Sequence, residues 1–322
     1  MSKAETKSKS GSKDFRYLKV LEAVDGTDVS IPYAMITGRK AGPKLYVGAA
    51  IHGDEVNGVF VVRDIISRIE PNELKGSVLA VPVQNPAAFR ARRRLAPQGI
   101  PVDEADINDF FPGRLDGKAA EVVAHHLFQG LMTTAGYAID LHTGTSFQEV
   151  CKTFTPSHRY GETSRKSLEM ARAFGVRLLY DGMYEDERWF ENFLAARSIP
   201  TVGVELGQGS TFQPEYVKRG VEGVLNVLKL LGMLEGPCST PEDMIVIRSE
   251  VNIRAASGGI IQIKGKVGEK VSKNDTIATI TTPLGDRVQT VKAPMDGYLN
   301  NVLTIPTVSV GERIATIGST QP

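Results

Sequence analysis

Residues 45–58 read LYVGAAIHGDEVNG, an apolar run that breaks into a knot of histidine, carboxylates, asparagine and glycine. The apolar part predicts a buried strand. In its plainest reading the knot is a strand-to-helix turn, with Gly53 supplying backbone freedom and Asp54 near the N-cap of the next helix. The alternative is half of a metal site, and the rest of the chain has to choose between them.

Outward from this stretch, residues 44 to about 236 alternate short apolar runs with longer amphipathic ones, the pattern of an α/β domain with a largely parallel sheet. Runs at 45–51, 78–83, 137–141 and 201–204 are expected strands. Residues 54–69, with Val59, Val62, Ile66 and Ile69 on one face, and 214–232, with Val217, Val221, Val224, Leu228 and Leu231, are expected helices. His52, Asn85, His142 and Glu205 fall at or just after the ends of the four runs. Ligands of open α/β sheets bind beyond the carboxyl ends of the strands, so four segments are expected to deliver side chains to one crevice.

The bulk properties narrow the partner. Among 322 residues, 38 basic and 37 acidic side chains leave a net charge of +1, which gives no field for nucleic acid or an anionic membrane and favours a small-molecule partner. The two cysteines, Cys151 and Cys238, form neither a disulfide framework nor a thiolate metal site, and fit a reducing compartment. Residues 1–14 read as a solvated Lys/Ser-rich tail without a signal-peptide core, and no run is apolar enough to span a membrane, so a cytoplasmic protein is expected.

Composition shifts after Gly236-Pro237. A linker near 236–244 separates an expected catalytic domain, 15–240, from a β-rich domain, 245–322, in which VGEKVSKNDTIATI (267–280) and VSVGERIATIG (308–318) echo each other. This part resembles the barrel-sandwich hybrid of biotinyl and lipoyl domains. Those carriers display a lysine at the tip between the halves, where this chain has TTPLGDR; Lys292 lies beyond it. A lid or oligomerisation module is therefore expected rather than a swinging arm, and homo-oligomerisation is left open.

Chemistry gathers on the strand ends. His52 and Glu55, three residues apart, project to the same side of one helical turn. A second histidine follows at a strand end in Asp140-Leu141-His142-Thr143-Gly144. Two imidazoles and a carboxylate with a fourth position open to water are a catalytic zinc set. Glu205, in VGVELGQG, is a carboxylate at the end of an apolar strand, where desolvation raises its pKa toward that of a general base; alone it would be a capping or ion-pairing residue.

HGDEVNG, Asn85-Pro86, DINDFFPG (106–113), DLHTG and VELG occur in the order found in the succinylglutamate desuccinylase/aspartoacylase family, relatives of the zinc carboxypeptidases, and the chain resembles that family over about 160 residues. The resemblance implies a carboxypeptidase-like mixed, largely parallel sheet flanked by helices. It also implies one zinc per chain held by His52, Glu55 and His142, and a Glu205 that activates water and then protonates the leaving amine. Arg94, in the run Arg92-Arg93-Arg94, matches the family arginine that stabilises the oxyanion, although a solvated basic loop is the plainer reading. Asp140 either holds an imidazole from behind or is a structural strand-end acid. Asn85, Asn108 and Asp109 are the expected substrate contacts.

One position departs from the family pattern Asp-Leu-Asn-Arg-x-Phe, whose arginine helps hold the substrate's carboxylate. Here Asp106-Ile107-Asn108-Asp109-Phe110 places an acid there. A fixed carboxylate repels an anionic group, so a cationic or neutral substrate group is expected near Asp109, unless Asp109 is a surface acid paired with Arg92 or Arg114. His125 and His126 fall in the amphipathic stretch 118–131 and read as helix residues rather than ligands; His158 is left unassigned. The expected activity is zinc-dependent hydrolysis of the amide bond in an N-acylated amino acid or related small amide. A carboxypeptidase-like hydrolase of peptides or conjugates, and a metal-holding protein without turnover, are the rivals.

Overall fold

A computed structural model describes residues 10–95, 106–241 and 243–321. The first part runs β1 (Ser12–Glu22), β2 (Asp28–Thr37), β3 (Lys40–Ala49), α1 (Val56–Arg68), β4 (Lys75–Val81), α2 (Pro86–Ala91), α3 (Ala119–Leu127), β5 (Tyr137–His142), β6 (Gln148–Pro156), α4 (Glu162–Phe174), β7 (Leu178–Tyr184), α5 (Phe190–Ala195), β8 (Thr201–Gln208) and α6 (Pro214–Leu230). The strands order as β1-β2-β4-β3-β5-β8-β6, with β7 paired to β6. The central four, β4-β3-β5-β8, are parallel, and antiparallel β2 and β6 flank them.

Both faces of this sheet are covered, which explains why its inner strands carry apolar runs rather than alternation. On one face Val61, Val62 and Ile65 of α1, Met170 and Ala171 of α4, and Val217, Val221 and Val224 of α6 pack on Val47, Leu141 and Val204. On the other, Val123 and Leu127 of α3 and Phe193 and Leu194 of α5 cover Tyr46 and Ala138. Each fully buried aliphatic side chain contributes roughly 1.5–3 kcal/mol.

The last strands are β9 (Ile245–Ile247), β10 (Ser249–Arg254), β11 (Gly259–Ile263), β12 (Lys270–Val271), β13 (Thr276–Thr281), β14 (Arg287–Lys292), β15 (Gly297–Leu303), β16 (Thr307–Val308) and β17 (Arg313–Ser319). Strands β14-β13-β11-β16 form a separate sheet, whereas β15, β17 and β10 extend the large one through a β15–β6 pairing. The echoed sequences occupy equivalent places with the sheets exchanged. β12 pairs with β15 in the large sheet and β13 lies in the small one; β16 pairs with β11 in the small sheet and β17 lies in the large one. Ile261, Ile277, Ile280, Leu299, Ile314 and Ile317 fill the space between. Lys292 ends β14, away from the turn that closes through Thr282 N–H to Asp286 O.

Several boundaries differ from the sequence reading. Strand β1 begins at Ser12, because residues 12–22 pair with β2 in an antiparallel hairpin; the tail expected over 1–14 is thus cut short, and its residues 1–9 lie outside the described chain. Helix α1 starts at Val56 rather than 54, and α6 ends at Leu230. Among the described residues no helix is long and apolar enough to cross a membrane.

Candidate active site

Three neighbouring strands set the site. His142 ends β5 and lies in register with Glu205 of β8, which in turn stands opposite Lys152 of β6. These side chains therefore share one face and one level of the sheet. A fourth segment arrives from β3. After Ala49 the chain reverses at Ala50, whose φ of 50° is left-handed, and Glu55 N–H donates to His52 O at 3.2 Å.

This turn corrects two details and bears out a third. Gly53 has no positive φ; it is needed for close approach, since a Cβ there would lie 2.0 Å from the carbonyl carbon of Ala88. Asp54 lies next to the N-cap of α1, as expected, but does not itself cap the helix. Its Oδ2 accepts from Ser146 Oγ at 2.7 Å, and Glu55 occupies the N-cap position without a side-chain cap. His52 and Glu55 are thus brought together by the turn, not by a shared helical face.

His52 Nδ1 lies 2.7 Å from Glu55 Oε1, and His142 Nδ1 lies 2.9 Å from Glu55 Oε2. The far nitrogen of each ring is held by an acid: His52 Nε2 by Asp106 at 3.0 Å and His142 Nε2 by Asp140 at 2.8 Å. Such partners fix ring orientation and turn both Nδ1 atoms toward Glu55. Asp140 is fixed by Gln84 Nε2 at 3.0 Å, and Gln84 Oε1 accepts from Tyr46 OH at 2.7 Å. Tyr46, Gln84 and Asp140 are wholly buried.

The charges respond to this packing. Burial alone would raise the Glu55 carboxyl, but the imidazoles of His52 and His142 hold it well below the ordinary carboxylate range. Burial would lower His142, yet Asp140 and Glu55 hold it well above its ordinary value. Asp106 opposes its own desolvation through His52 and Arg94 and falls to about 2. Glu205 is raised by burial, against the pull of His142. Its Oε2 is buried without a hydrogen-bond partner among the described residues.

Of the arginine run, Arg94 reaches the site, donating from Nη1 to Glu55 Oε1 at 2.7 Å. Asn108 Nδ2 lies 3.4 Å from His52 Nε2, and its Oδ1 is buried with no hydrogen-bond partner among the described residues. Above these residues opens a cavity of about 300 Å³, whose wall includes His52, Glu55, His142, Arg94, Glu205, Asn108 and Asp109. Asp109 is exposed at this wall and makes no ion pair among the described residues; Arg114 engages Glu121 instead, at 2.8 Å. A second cavity of about 270 Å³ shares Arg94 and Glu205 with the first, and Glu250, Asn300, Asn301 and Arg313 of the C-terminal strands close it.

Asn85 does not line the first cavity. Its Oδ1 caps α2 by accepting from Ala88 N–H at 3.1 Å and its Nδ2 donates to Ile51 O at 3.2 Å, so both polar ends serve the fold. His125 and His126 lie on α3. Asp106, Glu191, Arg188 and Trp189, which the sequence reading left without a role, all line the first cavity. Only Asp106 carried a signal, two positions before Asn108 in a motif already singled out.

His52, Glu55 and His142 can offer one ligand atom each within 4.8 Å of one another, a set of two imidazoles and a carboxylate suited to a divalent metal. A covered mixed sheet thus carries, at its strand ends, a cluster that could hold a metal ion beside a cavity. The catalytic-domain profile of the succinylglutamate desuccinylase/aspartoacylase family matches residues 41–231, and the chain belongs to that family. It is accordingly a hydrolase of the deacylase type. A similar characterised protein is N-alpha-acetyl-L-2,4-diaminobutyric acid deacetylase of Halomonas elongata, 27% identical over 300 residues that cover 90% of this chain and 85% of the relative. The product-bound ectoine utilization protein EutE (DoeB) of Ruegeria pomeroyi shares the fold with a TM-score of 0.86 at 22% identity, covering 96% of both chains. A succinylglutamate desuccinylase/aspartoacylase from Rhodobacter sphaeroides does so with a TM-score of 0.84 at 25% identity, over 97% of this chain and 96% of that one.

Proposed function

We propose that this chain is a cytoplasmic, zinc-dependent deacylase that hydrolyses the amide bond of a small N-acylated amino acid or related amide, with one zinc held by His52, Glu55 and His142. The observation that carries the reading is the convergence of both Nδ1 atoms on the Glu55 carboxylate, with an unpartnered oxygen of Glu205 on the adjacent strand. Bound zinc supplies Lewis acidity toward the acyl carbonyl and toward water.

The remaining steps belong to the chain's own residues. Glu205 accepts a proton from the attacking water and returns it to the leaving nitrogen, so that C–O bond formation and C–N cleavage end in a carboxylic acid and an amine. Burial, by raising its pKa, suits Glu205 to both halves of that transfer. Arg94, held by Glu55, is placed to stabilise negative charge on the former carbonyl oxygen. Asn108 and Asp109 contribute the substrate side of the pocket, and Asp109 favours a cationic or neutral group there. The substrate named for the Halomonas elongata relative, an acetylated diamino acid, carries such a group.

Metal analysis joined to turnover of a panel of N-acetyl amino acids tests the reading. One zinc per chain should be lost in the His52→Ala, His142→Ala double variant, and Glu205→Gln should keep zinc while losing about 10²–10⁴ in kcat. Zinc retained by the double variant refutes the ligand set. A Glu205→Gln enzyme of wild-type rate refutes the proton transfer.

A further inference from the structure

Glu191, the second residue of α5, is 3% exposed. Its Oε1 is buried without a hydrogen-bond partner among the described residues, and burial together with the nearby Asp140 pushes its carboxyl up to about 8, against the pull of His142. Its neighbour Asn192 shows the contrast. Asn192 Nδ2 donates to Tyr184 O and Asp186 O, and its Oδ1 accepts from Ser157 N–H. Buried polar groups are normally matched in that way, and an unmatched acid is costly to keep. Glu191 lines the first cavity, with Oε1 lying over Gly203, where a Cβ would come within 2.6 Å of it.

Among the described residues the basic side chains of the cavity wall already have partners, His52 in Glu55 and Asp106, and His142 in Glu55 and Asp140. Arg94 is engaged by Glu55 and Arg188 by Asp186, each at 2.7 Å. Asp140 and His142, which pair with each other, each bring a polar atom within 4.8 Å of one on Glu191, and the aromatic rings of Phe154, Trp189 and Phe190 line the same cavity, Phe154 and Trp189 meeting edge to face at 5.9 Å between centroids. An acid set among aromatic faces favours an organic cation twice, through charge and through the ring quadrupoles.

We propose that Glu191 is a specificity-determining residue that receives a primary ammonium group on the amine half of the substrate, selecting N-acylated diamines or diamino acids over N-acylated neutral amino acids. The assignment rests on the deacylase reading of this site. It differs from the expectation for Asp109, which is exposed: Glu191 is buried, so its pairing with the ligand is shielded from water.

The test compares zinc-loaded wild type and Glu191→Gln on Nα-acetyl-L-2,4-diaminobutyrate and on its neutral isostere Nα-acetyl-L-norvaline. Wild type should prefer the ammonium substrate. Glu191→Gln should lose about 30-fold or more of kcat/KM on it, while changing on the norvaline substrate by less than about threefold and keeping its zinc. Glu191→Asp, which retains the charge, should restore part of the preference and serves if the Gln variant fails to fold. An unchanged preference in these variants, or an equal loss on both substrates, overturns the assignment; equal loss would place the acyl group against Glu191. Calorimetric binding of free L-2,4-diaminobutyrate and L-norvaline separates the two claims. If wild type hydrolyses neither substrate, the deacylase reading fails. Glu191 is still supported by ammonium-selective binding that Glu191→Gln abolishes, and is overturned by binding without that selectivity.

Discussion

Asp140→Asn should weaken zinc binding without touching a proposed ligand. Asp140 Oδ2 faces His142 Nε2 at 2.8 Å while Oδ1 accepts from Gln84 Nε2 at 3.0 Å, and Gln84 is fixed in turn by the Tyr46 hydroxyl at 2.7 Å. An asparagine has one acceptor oxygen where the aspartate has two. If that oxygen keeps the imidazole, the new amide NH₂ meets the NH₂ of Gln84 in a dry interior. Turning Gln84 over leaves the Tyr46 hydroxyl proton without its acceptor. Either arrangement strands a buried donor, at about 1–3 kcal/mol. The loss of the carboxylate behind His142 should cost about 10- to 100-fold in zinc affinity, or about 1.4–2.8 kcal/mol. Competition with a chromophoric chelator measures the affinity, and urea unfolding of the metal-free protein measures the stability. Zinc affinity within about twofold of wild type would show that Asp140 does not orient the imidazole.

Two further outcomes follow from the charges of the site. Metal-free protein should draw stability from the Glu55–histidine cluster most fully between the ordinary carboxylate value of 4.5 and the ordinary histidine value of 6.5. The depressed Glu55 stabilises above the first value and loses this as pH falls, and the raised His142 stabilises below the second and loses it as pH rises. Zinc needs neutral imidazoles, so the zinc-induced rise in Tm should be larger at pH 8 than at pH 6 by scanning calorimetry; an equal rise would separate the histidines from the metal. Asp109→Arg should shift kcat/KM about tenfold toward acidic N-acyl amino acids, since it reverses a charge on the cavity wall. Identical preference profiles would make Asp109 a bystander.

The parallel core and the residues at its strand ends were legible because strand register is a local property: an apolar run ends, and the next polar side chain stands at the edge of the sheet. His52, His142 and Glu205 were singled out this way, and Arg94 and Asn108 through resemblance to the family pattern. The hairpin β1–β2 escaped because β1 is an edge strand with many exposed residues and β2, although it buries Ile31, Ala34 and Ile36, carries Pro32 in the middle of its run, which reads against a strand. Asn85 misled for a related reason. A strand-end asparagine before proline has the same sequence signature whether it faces a ligand or caps the next helix, and here both its polar ends are used internally. Glu191 was invisible because nothing in WFENF distinguishes a surface glutamate from a buried one; its burial is imposed by Phe154 and Gly203, some 37 and 12 positions away by residue number.

The pairing of β15 with β6 means that the C-terminal barrel cannot behave as an appended part. Asn301 and Val302 are laced by main-chain hydrogen bonds to Val150 and Glu149, one turn of the pleat from Lys152 and hence from Glu205. A hinged cover would have to tear that seam each time it opened. The barrel is instead a fixed wall, and traffic through the site must use openings between side chains and loops. Cutting the chain after residue 244 would therefore do more than enlarge the entrance. It would leave unpaired amide and carbonyl groups along the edge of β6 and turn a compact enzyme into one with an adhesive flank.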